Sequence, residues 1–285
     1  MNLSCVSHDR PVENWSRHAR QRRRLWLCKI RAFTSFAGTR DRIMLLHLKR
    51  GSEILDVGCG GGRPVLTAIG RVTGLEPIAS LAAQARQIYP NVVESVAEKM
   101  PFSDGQFDAV VSTDILGHIP VPIKDAVMSE MFRVLKPGGV TLHLAEADSD
   151  GWMARMAKRE PEPYRNVWIE EPDHRAMEPA RVQLERFRRA GFVVEMARPY
   201  MAILPAFGSL HFLFKEHKHL PAWLKMACFL DGLVAGNETR CEILNIGLTP
   251  LAFVNLFAPV EAGMGLIIKA RKPLPAAAPA KPRLN

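Results

Sequence analysis

Between residues 41 and about 200, short apolar runs alternate with stretches whose apolar positions recur every three or four residues. The first kind has strand length and the second has helical period, so the segment reads as repeated strand–helix units. Strands are predicted over 53–57, 71–75, 109–112, 140–144 and 192–196, and helices over 64–70, 80–89, 124–135 and 180–190. Pro64 suits a first helical turn, where its missing N–H is no loss. Gly191 suits the residue that ends the last of these helices. Residues 201–262 are apolar, helical in pattern and punctuated by proline, and a final strand is predicted over 263–272. Strand–helix repeats imply a mostly parallel sheet with right-handed crossovers and helices on both faces. Ligands of such sheets bind beyond the carboxyl ends of the strands, near the switch in strand order.

The ends of the chain differ from this body. Residues 1–50 hold 12 Lys/Arg against 3 Asp/Glu, and the rest holds 26 of each, so the whole net charge of +9 sits in the first fifty positions. Residues 1–40 read as a basic helical arm, suited to a solvated face or to contact with acidic lipid at a membrane surface, nucleic acid or an anionic substrate. The Pro/Ala-rich tail 273–285 reads as disordered. Composition is otherwise that of a globular protein, with 47% apolar and 24% charged residues. No stretch reads as a spanning helix, because the longest uncharged one, 243–260, carries two prolines and two asparagines. The N-terminus does not read as a signal peptide. Cys5, Cys28, Cys59, Cys228 and Cys241 are odd in number, scattered, and show no metal-ligand spacing. Free thiols in a reducing, cytoplasmic setting are the expectation.

The most informative run is DVGCGGGRP, from Asp56 to Pro64. A dinucleotide fingerprint wants a third glycine where Arg63 stands. Asp56, at the strand end, would repel a pyrophosphate but would pair with the ammonium of an amino-acid group. The loop therefore suits a nucleoside that carries an amino acid and no phosphate. Twenty residues after Asp56, Glu76 closes the second strand, where a carboxylate accepts hydrogen bonds from ribose hydroxyls.

The runs LDVGCGGG, GLEP, AEKMPFSDGQFDAVVS and FRVLKPGG lie within residues 50–145. Together they resemble the class I S-adenosylmethionine-dependent methyltransferases, and among these the type 11 small-molecule group. The resemblance implies an α/β, Rossmann-like fold: a seven-stranded, mostly parallel sheet with helices on both faces. Here a helical insertion would precede the last strand. The methyltransferase core would span 41–200, with an apolar helical lid over 201–262. S-adenosyl-L-methionine would be the cofactor. Gly58, Gly60 and Gly62 would let the backbone approach it, with Asp56 beside its methionine end and Glu76 on its ribose. Pro77 and Ile78 would line the adenine pocket, Ala97 and Glu98 would offer backbone contacts to adenine, and Thr113 would stand near the methionine part. The family commonly carries an acid where this chain has Val96, so adenine recognition must rest on other atoms.

Transfer from a sulfonium needs alignment of the nucleophile and exclusion of water, with no nucleophilic triad and no metal. An oxygen acceptor also needs a base, and His118, after the fourth strand, is the candidate. Glu146 and Asp148 leave the fifth strand toward the same side and, with Tyr164, are candidate acceptor contacts. Asp114, His174 and Arg175 are weaker ones, and His143 reads as packed within a strand. The polar-aromatic stretch 152–177 would roof the pocket. The aromatic content of 201–262 suits core packing of a helical subdomain or a lid for a hydrophobic or lipid-linked small-molecule acceptor, for which methylation at oxygen is the expectation. The competing readings are a binding module without turnover and a nucleic-acid methyltransferase. Against the latter, Ser112-Thr-Asp-Ile115 replaces any N-P-P-Y-like tetrad, and the body of the chain is neutral.

Overall fold

The structure is a computed structural model that describes residues 38–275. The arm predicted over 1–40 lies outside the described residues apart from its last three, as does the tail from 276 onward. The core elements in chain order are α1 (Thr39–His47), β1 (Glu53–Val57), α2 (Pro64–Thr67), β2 (Arg71–Leu75), α3 (Ala79–Ala85), β3 (Asn91–Val93), β4 (Phe107–Thr113), α4 (Val121–Val134) and β5 (Leu135–Glu146). After β5 come α5 (Trp152–Ala157), α6 (Pro161–Tyr164) and a π-helical turn, Arg165–Glu170. The chain then forms α7 (Ala180–Arg189), β6 (Val193–Tyr200), α8 (Ser209–Phe214), α9 (Ala222–Ala235), α10 (Glu238–Leu248), two 3-10 segments and β7 (Gly265–Arg271).

The seven strands form one sheet in the order β3-β2-β1-β4-β5-β7-β6. All pairs are parallel except β5·β7 and β6·β7. Strand order reverses between β1 and β4, so the carboxyl ends of those two strands flank the switch point. Alternate strand residues feed opposite faces. Leu55, Val57 and Val110 join the core under α4 and α7, with Met128, Met131 and Phe187. Ile54, Ala109 and Val111 join the core under α1, α2 and α3, with Met44, Leu66 and Ala82.

Several strands are longer than their apolar runs. β5 begins at Leu135 because Leu135 pairs with Phe107 across a register shift, which absorbs Pro137 and Gly138. β6 runs on through Pro199, which is tolerated because β6 is an edge strand. β3 has three residues, of which only Val92 is buried, too few to show an alternating pattern.

The segments after β5 and after β6 pack together as one cap. Its core holds Met153, Ala157 and Tyr164 from the first and Leu213, Phe214 and Leu224 from the second. Buried amide and carboxylate groups pin the intervening chain. Asn255 Oδ1 accepts from the N–H groups of Ala202, Ile203 and Leu204 at 3.1, 2.7 and 3.0 Å. Asp231 accepts from those of Gly208 and His211 at 2.7 and 2.9 Å. Among the described residues, no helix is long and apolar enough to cross a membrane.

Candidate active site

The loop after β1 is shaped by backbone conformation. Gly58, Gly60 and Gly62 have φ of 64°, 52° and 84°, in the left-handed region that side chains resist. A Cβ on Gly58 would also fall 2.2 Å from Ile115 Cδ1, whereas one on Gly60 would meet nothing within 4 Å. The loop thus folds tightly at its base and is open at its middle glycine.

Two carboxylates hold it from below. Glu76, 4% exposed, accepts from the Gly60 N–H at 2.9 Å through Oε2 and from the Ile78 N–H at 3.0 Å through Oε1. Burial raises its pKa, and these two donors partly offset the shift. Asp56, 3% exposed, accepts from the Tyr89 hydroxyl at 2.6 Å, and the Tyr89 oxygen accepts from the Arg63 N–H at 2.7 Å. Tyr89 therefore ties the strand end to the far side of the loop. Burial pushes the Asp56 carboxyl up to about 6, against the pull of Tyr89 and Arg63.

A second polar layer lies at the ends of β1 and β4. The Arg63 guanidinium donates to Thr113 Oγ1 at 3.0 Å and to Asp41 Oδ1 at 3.3 Å. Arg40 pairs with Asp114, which has φ of 56°. Thr113 is the last residue of β4, and α1 supplies both Arg40 and Asp41. Tyr89, Arg40 and Asp41 escape sequence reasoning because their partners are remote in the chain. Arg63 was legible only as the residue that spoils a dinucleotide loop. Ala97 and Glu98 are half-buried, Pro77 is exposed, and Val96 is 45% exposed.

These groups fit an S-adenosylmethionine molecule. The open glycine loop admits a close-lying nucleoside, Glu76 matches a ribose diol, and Asp56 and Arg63 are opposite in charge to an ammonium and a carboxylate.

On the acceptor side, Glu146 ends β5 and is 6% exposed. Its Oε2 accepts from the Gly117 N–H at 3.2 Å, and its Oε1 lies 3.5 Å from His174 Nε2 and 4.0 Å from His118 Nε2. Burial opposes the Glu146 charge, but the two histidines outweigh it and hold the carboxyl down at about 2. Burial lowers the His118 pKa, with Glu146 acting in the other direction. The structure therefore brings together His118, Glu146 and His174. It places the other candidates elsewhere. Asp148 pairs with Lys158 at 2.7 Å, Tyr164 is buried in the cap core, and Arg175 pairs with Glu170 and Asp173. His143 is fully buried between Ser112 and Thr141, and burial lowers its pKa to about 3.

Residues 55–143 match the profile of a methyltransferase domain. Over 105 residues the chain is 34% identical to cycloartenol-C-24-methyltransferase 1 of rice, covering 33% of this chain and 30% of that one. Over 104 residues it is 36% identical to the ubiquinone biosynthesis O-methyltransferase of Pseudomonas fluorescens, covering 31% and 42%. The chain thus spans less than half the length of these curated relatives. An S-adenosylmethionine-dependent methyltransferase of Thermotoga maritima has the same fold, with a TM-score of 0.53 at 16% identity, covering 92% of this chain and all of that one. With the strand order and the glycine loop, these matches mark residues 55–143 as a methyltransferase domain in a chain that has the fold of the class I S-adenosylmethionine-dependent methyltransferases. The seven-stranded fold and the cofactor implied by the sequence both stand.

Proposed function

We propose that the protein methylates an oxygen of a small, lipophilic or lipid-linked acceptor. The observation that carries the reading is the pairing of the glycine loop and Glu76 on one side of the switch point with His118 and Glu146 on the other. When bound, S-adenosylmethionine supplies a methyl group already activated on a sulfonium. Glu76 and the Gly60 backbone would hold its nucleoside, and Asp56 and Arg63 would hold its amino-acid end. The cap shields the strand ends from water, which competes with the acceptor oxygen. His118 is neutral at pH 7 and takes the acceptor proton on Nε2, and Glu146 stabilises the imidazolium so formed.

Two observations support a lipophilic acceptor. The cap exposes Trp223, Met226, Phe229, Leu230 and Leu233 along α9, each more than half exposed. The relatives are named for cycloartenol C-24 methylation and for ubiquinone biosynthesis. The basic arm would add attraction to an acidic membrane surface where such acceptors reside.

Calorimetric titration with S-adenosylmethionine and S-adenosylhomocysteine, with NADH as control, tests the cofactor half. Binding of the first two alone is expected, and no binding would overturn the reading. Radiolabelled methyl transfer to a panel of quinols and sterols tests the other half. His118→Ala should slow transfer by roughly a hundredfold or more while leaving cofactor affinity nearly unchanged.

A further inference from the structure

Three side chains remote in sequence meet beside the carboxyl ends of β4 and β5. One ring nitrogen of His118, one of His174 and a carboxylate oxygen of Glu146 lie within 4.8 Å of one another, and in both rings Nε2 faces Glu146 Oε1. The two rings are 4.9 Å apart and tilted by 53°, so they are not simply stacked.

The outward atom of each group is already committed. His118 Nδ1 lies 3.1 Å from the carbonyl oxygen of Asp173, and His174 Nδ1 lies 3.0 Å from that of Trp168. A carbonyl oxygen only accepts, so each Nδ1 carries the proton, and the neutral ring keeps a lone pair on Nε2. Glu146 Oε2 is occupied by the Gly117 N–H. Its Oε1 is buried without a hydrogen bond. No donor reaches the buried oxygen in good hydrogen-bond geometry, His174 Nε2 standing 3.5 Å away. The Glu146 charge is therefore met only when the histidines are protonated, and a cation in place of those protons would join all three donors.

We propose that His118, Glu146 and His174 bind a divalent first-row transition cation of the zinc class, with a coordination position left for an oxygen of the acceptor. Two imidazoles and one carboxylate are a set that zinc takes with its fourth position open, whereas magnesium and calcium favour all-oxygen sets. Bonds of about 2.0–2.2 Å at tetrahedral angles put ligand atoms about 3.3–3.5 Å apart. The separations from Glu146 Oε1 are 3.5 and 4.0 Å within a set that spans up to 4.8 Å, so binding requires the side chains to close in by no more than about 1.5 Å.

The scaffold around the site is fixed. Ala176 N–H donates to the Gly117 carbonyl at 3.0 Å, joining the two loops that carry the histidines. Lys124 donates to the Ala176 carbonyl and to Glu178 at 3.1 Å, and Arg186 clamps Glu178 from α7 at 2.6 Å. Gly117 leaves room for the carboxylate, since a Cβ there would stand 2.9 Å from Glu146 Oε2. With the ion bound, His118 Nε2 is a ligand and no longer the base; the ion's net positive charge takes over that role, favouring an acceptor oxygen that has released its proton to solvent.

Only the identity of the fourth ligand rests on the methyltransferase reading. The full-length protein, stripped with a chelator, is titrated with Co2+ and then Zn2+. One Co2+ per chain is expected, with the intense visible bands of a four- or five-coordinate ion that Zn2+ displaces. Glu146→Gln preserves shape and the Gly117 contact, and should weaken binding by roughly tenfold or more, as should His174→Ala. His219→Ala, on an exposed surface, should leave binding unchanged. A spectrum of hydrated Co2+ only, or wild-type affinity in both site variants, would show a histidine–carboxylate cluster and overturn the proposal. Cofactor calorimetry on the same preparation separates the two ideas. Metal binding without cofactor binding supports the site while removing the function proposed above.

Discussion

On the cofactor side, apart from Arg40 and Asp41 of α1, the groups that shape the site lie between Asp56 and Asp114, and backbone sets most of its shape. Glycine conformations set the loop, and N–H groups meet two buried carboxylates. On the acceptor side, the site is made of side chains. His118, Glu146 and His174 come from three separated segments and meet only because β4, β5 and the cap fold together. A backbone-built site depends on a local run of residue types, so it tolerates little change within that run. A side-chain site can be rebuilt by exchanging a few residues, which is how one cofactor fold serves many acceptors.

The sharpest way to break this contrast is to add one methyl group to each side. Gly58→Ala puts a Cβ where Ile115 stands and forces an alanine into a left-handed backbone. The strain and the overlap together should cost roughly 3 kcal/mol, or about a hundredfold in cofactor affinity. Gly117→Ala overlaps chiefly with the carboxylate end of Glu146, which can shift, and meets its Cβ at ordinary contact distance. It should change turnover more than cofactor affinity. Calorimetry and initial rates on both variants read the difference, and equal losses of cofactor affinity would erase it. Glu76→Ala comes next. It strips the Gly60 and Ile78 N–H groups of their acceptor and removes the ribose partner, which should weaken cofactor binding by about 1–3 kcal/mol. Unchanged affinity would remove Glu76 from the site.

The same contrast explains what the sequence disclosed. Asp56, the glycines and Glu76 are readable because their chemistry follows from spacing along a strand, a loop and the next strand. Strands β1 and β2 are readable end to end because both of their faces are buried. Tyr89 was not readable. Its hydroxyl matters only once α3 has brought it back under the loop, and nothing in its neighbours marks it. His174 stood among polar and aromatic residues as one surface candidate of several. What distinguishes it is the Glu146 oxygen opposite, and that pairing exists only in three dimensions. The inward side of the cap was partly legible as apolar content, but periodicity could not say that Leu224 would be buried and Phe229 exposed.

A pH series sharpens the cofactor side from another direction. Asp56 holds its proton up to about pH 6 in the folded protein, against an ordinary value near 3.8. Between those values the native state binds more protons than the unfolded chain, so the contribution of Asp56 to stability falls as pH rises from about 4 to about 6 and is level above. Cofactor affinity should move in the opposite sense, because only the ionised carboxylate pairs with an ammonium. It should drop about tenfold for each pH unit below 6. Asp56→Asn should flatten both dependences. Thermal melts and calorimetry across this range check the opposed signs, and a parallel rise of stability and affinity would mean that Asp56 does not face the cofactor.

The smallest expected effect belongs to the outer face of the cap. Phe229 and Leu233 are 62% and 58% exposed on α9, whereas Leu224, one turn and more away on the same helix, is fully buried. Replacing a buried leucine by serine removes packing and leaves a hydroxyl to satisfy, a loss of several kcal/mol. Replacing the exposed pair should change stability by no more than about 0.5 kcal/mol each. If that face meets lipophilic material, Phe229→Ser with Leu233→Ser should lower association with quinol-bearing vesicles while the melting temperature and cofactor affinity stay at their wild-type values. A large fall in melting temperature would show instead that the face is covered by the protein itself. Unchanged vesicle association with an unchanged melt would remove the apolar surface from the case for a lipophilic acceptor, leaving the acceptor side to be argued from His118, Glu146 and His174 alone.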